Sequence, residues 1–172
     1  NGGTCTPDGC SDSFSDLIFS EYIEGSGSNK ALEIYNGTAN AIDLGQYEII
    51  QGNNGKYFDD GDNPSPISLS GSIASGETYV ICRDDEDNDS AIQLKSAGGV
   101  CDETTNSSVL NFNGDDAIAL RKGTTIVDII GIEGDDPGSS WAVGSDNTKD
   151  HTLVRNPTVT TGVFNWNPDE WT

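Results

Sequence analysis

Positive charge is scarce in this chain. Eight Lys and Arg face 29 Asp and Glu over 172 residues, a formal net charge of -21. That balance excludes unaided tight binding to a phosphate backbone, which rests on clustered Lys and Arg. Histidine is reduced to His151. One imidazole, with no CxxC spacing beside it, leaves zinc a poor reading. Methionine is absent, and no apolar run approaches the roughly 20 residues of a membrane helix. No GxSxG elbow is present, and Ser139, Ser140, Asp150 and His151 form no nucleophile motif. No leader segment is visible either, as expected of a mature secreted chain whose signal peptide has been removed.

What is abundant is turn chemistry. The 21 Gly residues, with Asn, Asp and Ser, punctuate short alternating apolar runs. Strands are predicted at 17–24, 30–36, 47–51, 67–69, 78–82, 109–112, 117–122, 126–131 and 152–155. The clearest hairpin joins Ala117–Arg121 to Thr125–Ile130 through Lys122, Gly123 and Thr124. No segment keeps a helical period beyond two turns. The expectation is an all-β, antiparallel β-sandwich with acidic loop insertions. Residues 1–16 read as a stapled leader or linker, and 17–172 as one domain.

Four cysteines allow three pairings. Chain order favours Cys5 with Cys10 and Cys82 with Cys101, two local loops that imply an oxidising, extracellular compartment.

Several acidic groups are candidate Ca²⁺ ligands, because calcium gathers about 6–8 oxygens. Asp59, Asp60 and Asp62 flank Gly61 in one loop. Asp85, Asp87 and Asp89 alternate like the start of an EF-hand, but Ser90 and Ser96 stand where that loop needs Gly and Glu, so an EF-hand is rejected. Asp115 and Asp116 precede a core strand and read as turn caps or as a metal pair. Glu21 and Glu33 lie in the first two strands, where a structural, a metal-binding or a solvated role is open. Trp141 reads as core. Trp166 and Trp171 read as covers for a sheet edge or as rings that stack on a sugar or base. Asn36, Asn88 and Asn106 begin glycosylation sequons.

The runs FSEYIEG, NKALEIYNGT, IDLGQYEI, ISLSGSIASGETYVI, LNFNGDDAIALRKGTTIVDIIG and HTLVRNPTVTTG appear in that order between about Leu17 and Gly162. Together they resemble the lamin tail domain. The resemblance implies an immunoglobulin-like sandwich that works as an interaction module. In its bacterial form it accompanies secreted enzymes, including nucleases of the endonuclease/exonuclease/phosphatase type. Such a nuclease carries its His and Asp residues on a much longer domain, so the implied role is a non-catalytic accessory module. The expected partners are a protein or an extracellular or cell-surface polymer, with DNA reached only through bridging cations or an adjoining nuclease domain. The alternative is a calcium-supported carbohydrate-binding module.

Overall fold

The computed structural model describes residues 14–84 and 99–172, together with the backbone of two short strands ahead of them. Those two are β1 (Cys5–Thr6) and β2 (Gly9–Cys10), an antiparallel pair. Then come β3 (Ile18–Glu24), β4 (Lys30–Tyr35), β5 (Ile42–Asp43), β6 (Tyr47–Gly52), β7 (Ile67–Ser68), β8 (Ser72–Ile73) and β9 (Thr78–Arg83). After them lie β10 (Glu103–Thr105), β11 (Ala117–Lys122), β12 (Thr125–Ile130), β13 (Ala142–Val143), β14 (Asp146–Asn147) and β15 (His151–Val154).

Two sheets carry the architecture. One has the order β10-β9-β4-β3-β15 and the other β12-β11-β6-β7. Phe19, Tyr22, Leu32, Ile34, Ile81 and Leu153 of the first meet Tyr47, Ile49, Ile118, Leu120 and Ile130 of the second in one core. Each such aliphatic or aromatic burial contributes about 1.5–3 kcal/mol. This is the expected all-β sandwich. The β10–β9 pair alone among the large-sheet pairs runs parallel, and it departs from the antiparallel expectation.

Alternation explains most of this. Leu32 and Ile34 face inward on β4, while Glu33 and Tyr35 face outward. On β3 the inward residues are Phe19 and Tyr22, three apart. A bulge at Ser20 absorbs the odd residue, since Phe19 pairs with Ile34 and Glu21 with Glu33. The β11–β12 turn closes with Gly123 at φ 59, a conformation that side chains resist.

The strand expected at 109–112 is instead a 3-10 turn, Ser108–Asn111. Ser107 caps it, its side chain accepting from Val109 N–H. Val109, Leu110 and Phe112 are buried all the same, so the apolar run supplies core without joining a ladder.

A polar hub ties the layers together. Asp128, fully buried on β12, accepts the Phe19 N–H at 2.9 Å and the Val163 N–H at 3.0 Å. The Arg155 guanidinium donates to it at 3.0 Å and to Glu170 at 2.6 Å. The chain then closes on itself. Val154 and Thr172 exchange backbone bonds at 2.8 and 3.0 Å, and Arg155 bridges to Trp171.

Candidate functional site

The outer faces of the two sheets differ. On that of the four-stranded sheet, Phe58 and Trp141 lie over Ile50, Ala119 and Ile129. Gly131, at φ 82, makes this cover possible, because a Cβ there would stand 2.6 Å from the Trp141 ring.

The five-stranded sheet leaves a groove of about 300 Å³ on its outer face. Strand register sets its floor. Val154 pairs with Glu21, Glu21 with Glu33, and Glu33 with Val80, while Ile18 pairs with Tyr35 one step along. Phe14 stands edge-on to Tyr35, centroids 5.3 Å apart, and closes one end. Pro157 and Val159 form a further wall. Val154 keeps 42% of its surface exposed there.

Glu21 and Glu33 thus lie directly opposite each other among apolar side chains. Ser20 donates its hydroxyl to Glu33 Oε1 at 2.6 Å. Among the described residues nothing donates to the Glu21 carboxylate. Burial, and then the charge of Glu33, hold the Glu21 carboxyl above the usual glutamate range. The sequence placed both glutamates in the first two strands, and register brings them into one site.

The other acidic candidates are dispersed. Asp59 is bound by Arg121 at 3.1 Å, Asp62 lies 3.9 Å from Lys56, and Asp60 accepts the Asp62 N–H at 2.9 Å. That loop is held as a turn by its own polar groups. Asp116 is buried and accepts from Asn113 N–H, Asn54 N–H and Gln51 Nε2 at 2.8, 2.8 and 2.9 Å. Its oxygens are taken up by the protein, so it holds a turn as a cap does; burial still pushes its carboxyl upward. Asp115 stands beside it, partly exposed. Asp85, Asp87 and Asp89 lie outside the described residues. Among the described residues, no three His, Cys, Asp or Glu side chains converge to hold a metal ion.

Trp171, expected to cover an edge or to stack on a ligand, is 4% exposed and belongs to the core, its ring beneath the Arg155 guanidinium at 4.7 Å. The ring is therefore closed to a sugar, and its backbone bridge caps the strand end instead. Trp166 is partly buried, edge-on to Trp141 at 5.8 Å. It lines a recess of about 270 Å³ with Ile132 and Phe164. Asn36 cannot be a glycosylation acceptor in the fold: it is fully buried, and its Nδ2 donates to Asn40 O and Ile73 O, both at 2.9 Å. His151 bonds Lys149 O and Asp146 Oδ1, each at 2.5 Å, and is held on the surface as a structural residue.

Cys82 and Cys101 form a disulfide, as chain order suggested, with Cα atoms 5.8 Å apart. Cys5 and Cys10 face each other in the β1–β2 register, and their side chains lie outside the described residues.

Fold and groove together define an immunoglobulin-like β-sandwich with a groove on the outer face of its five-stranded sheet. The lamin tail domain family matches residues 11–134, and the chain belongs to that family. The domain it names is a non-catalytic, immunoglobulin-like one. The match ends well short of β15, although β15 completes the five-stranded sheet. No curated protein and no solved structure matches the chain.

Among the described residues no helix is long and apolar enough to cross a membrane. Asp128 and Arg155 escaped the sequence reading. Their signal was an Asp at the same strand parity as inward-facing Ile130, a position where an acid needs a buried partner.

Proposed function

We propose that this domain is a non-catalytic docking module of a secreted protein and holds its partner on the outer face of the five-stranded sheet. The observation that carries the reading is the open, carboxylate-floored groove at Glu21 and Glu33, on a face that no cover like Phe58 and Trp141 crosses among the described residues. The partner is a protein or an extracellular polymer. The net charge of -21 disfavours direct contact with DNA, which would be reached through a bridging cation or an adjoining nuclease domain. Resemblance alone supports the association with a secreted hydrolase such as a nuclease. Ca²⁺ is proposed to bind the segment that carries Asp85, Asp87 and Asp89, on the strength of its carboxylate excess.

Paired carboxylates can also act as acid and base, which makes the test sharp. The chain is incubated with DNA, RNA and polysaccharide in the presence of Ca²⁺ or Mg²⁺, and no turnover is expected. Turnover that Glu21→Gln or Glu33→Gln abolishes would overturn the non-catalytic reading. Sequencing the flanking reading frame tests the context, with a hydrolase domain expected alongside.

A second reading, carbohydrate binding, is favoured by Phe164, which is 74% exposed beside Ile132 and Trp166. A glycan array decides it. Binding that survives Phe164→Ala and Trp166→Ala would refute this recess as the sugar site.

A further inference from the structure

The groove poses a problem of charge. Like charges directly opposite each other on a sheet destabilise it, and here the pair is half-buried beside Ile18, Tyr35 and Val154. Among the described residues, no Lys or Arg pairs with either glutamate. Lys30 pairs with Glu24, Lys56 approaches Asp62, Arg121 holds Glu48 and Asp59, and Lys122 reaches Asp16. Arg83 donates to the carbonyls of Asn106 and Ser107. Arg155 borders the groove, but it follows Val154 on the strand and its guanidinium turns to Asp128 and Glu170. The backbone and Cβ of Lys149 lie against Gly114 on the segment before β15. Residues 1–13 contain no Lys or Arg. Lys95 is the remaining cation and lies outside the described residues.

The walls then choose among external cations. Calcium needs about 6–8 oxygens. Beyond the two carboxylates the polar lining is the Ser20 and Tyr35 hydroxyls and the Asn156 amide, whose oxygen already accepts from Thr158; among the described residues no three acidic side chains converge, and the other lining is largely hydrocarbon and aromatic. A cation carried on an alkyl stem suits that surface, because the stem covers apolar side chains while the head meets the acids. Two carboxylates side by side match the five-donor fork of a guanidinium better than the compact point charge of an ammonium.

We propose that the groove receives an arginine side chain from a basic segment of a partner protein. Glu21 and Glu33 accept its guanidinium, and Ile18, Tyr35 and Val154 line its stem. This rests on the docking-module reading and names the chemistry of the occupant.

The test is an NMR titration of the intact, isotope-labelled chain with N-acetyl-arginine amide. N-acetyl-citrulline amide serves as the neutral counterpart and N-acetyl-lysine amide as the point-charge control. Saturable shifts are expected at Glu21, Glu33, Tyr35 and Val154. Citrulline should bind at least ten-fold more weakly, and lysine between the two. The Glu21→Gln/Glu33→Gln double variant should lose at least ten-fold in affinity while melting at or above the parent temperature, since the repulsion is gone. Shifts scattered evenly over the acidic surface, or a double variant that binds as well as the parent, would overturn the inference. So would a Lys95→Ala variant that binds the arginine probe ten-fold better, because the groove would then already hold a cation of its own. A photo-crosslinker at Val154 separates the two readings. If the probe fails and a purified partner still cross-links there, the docking face stands and the arginine pocket falls.

Discussion

Arg155 Nη1 stands 3.0 Å from Asp128 Oδ2, and neither side chain is open to water. The pair links β12 to the end of β15. Through the Phe19 and Val163 N–H groups it also fixes β3 and the C-terminal segment. Burial pushes the Asp128 carboxyl up, and the Arg155 charge and the two N–H donors oppose that. Removing one partner of such a pair strands the other. Arg155→Met is therefore expected to cost about 3–5 kcal/mol, measured as a lowered denaturant midpoint. A loss below about 1 kcal/mol would mean the pair is no better than a surface bridge.

The family match ends at residue 134, yet the fold does not. A chain cut there loses β15, Trp141, Trp171 and the partner of Asp128. It should show no cooperative thermal transition, whereas the full chain should melt in one step. A sharp transition in the truncated chain would show that the strand is an appendage.

The acid range gives a third prediction. Burial and Glu33 raise the Glu21 pKa above its unfolded value. Stability from such a group is full below the unfolded pKa and is lost as the pH rises through the folded one. Glu21→Gln should therefore raise the melting temperature at pH 7 by about 1–3 °C. The difference should vanish once the pH falls below the unfolded glutamate value. Asp116 and Asp128 shift in the same direction, so the readout is the difference between variant and parent rather than the parent curve.

Reduction of Cys82–Cys101 should lower stability by about 3 kcal/mol, from the loop it closes over a separation of 19 residues. A Cys82→Ser/Cys101→Ser variant compared with the parent under non-reducing conditions isolates this bond from Cys5 and Cys10. An unchanged melting point would show that the acidic segment between them is held by other contacts.

Calcium is tested most simply by calorimetry. A ligand that binds the native state alone raises its melting temperature, so chelation is expected to lower it. Superimposable scans would remove calcium from the account.

Much of the sandwich was legible beforehand. The alternation of KALEIY and the Gly123 turn fix β4 and the β11–β12 hairpin in the sequence itself. What escaped notice depends on partners distant along the chain. The 108–111 turn carries a strand-like apolar run, and the Ser107 cap decides against a strand. The parallel β10–β9 pairing has no local signature. For the site, Glu21 and Glu33 were singled out as residues, but their facing each other depends on the Ser20 bulge and on register. The burial of Trp171 depends on Arg155, sixteen positions earlier.

The backbone exchange between Val154 and Thr172 has one more consequence. The flank of a sheet with unpaired amides is a template on which another chain can assemble. Here Val154, the last residue of β15, is paired on that flank with Thr172. Strand addition at this end of β15, whether into fibrils or from a visiting peptide, would first have to displace that pairing.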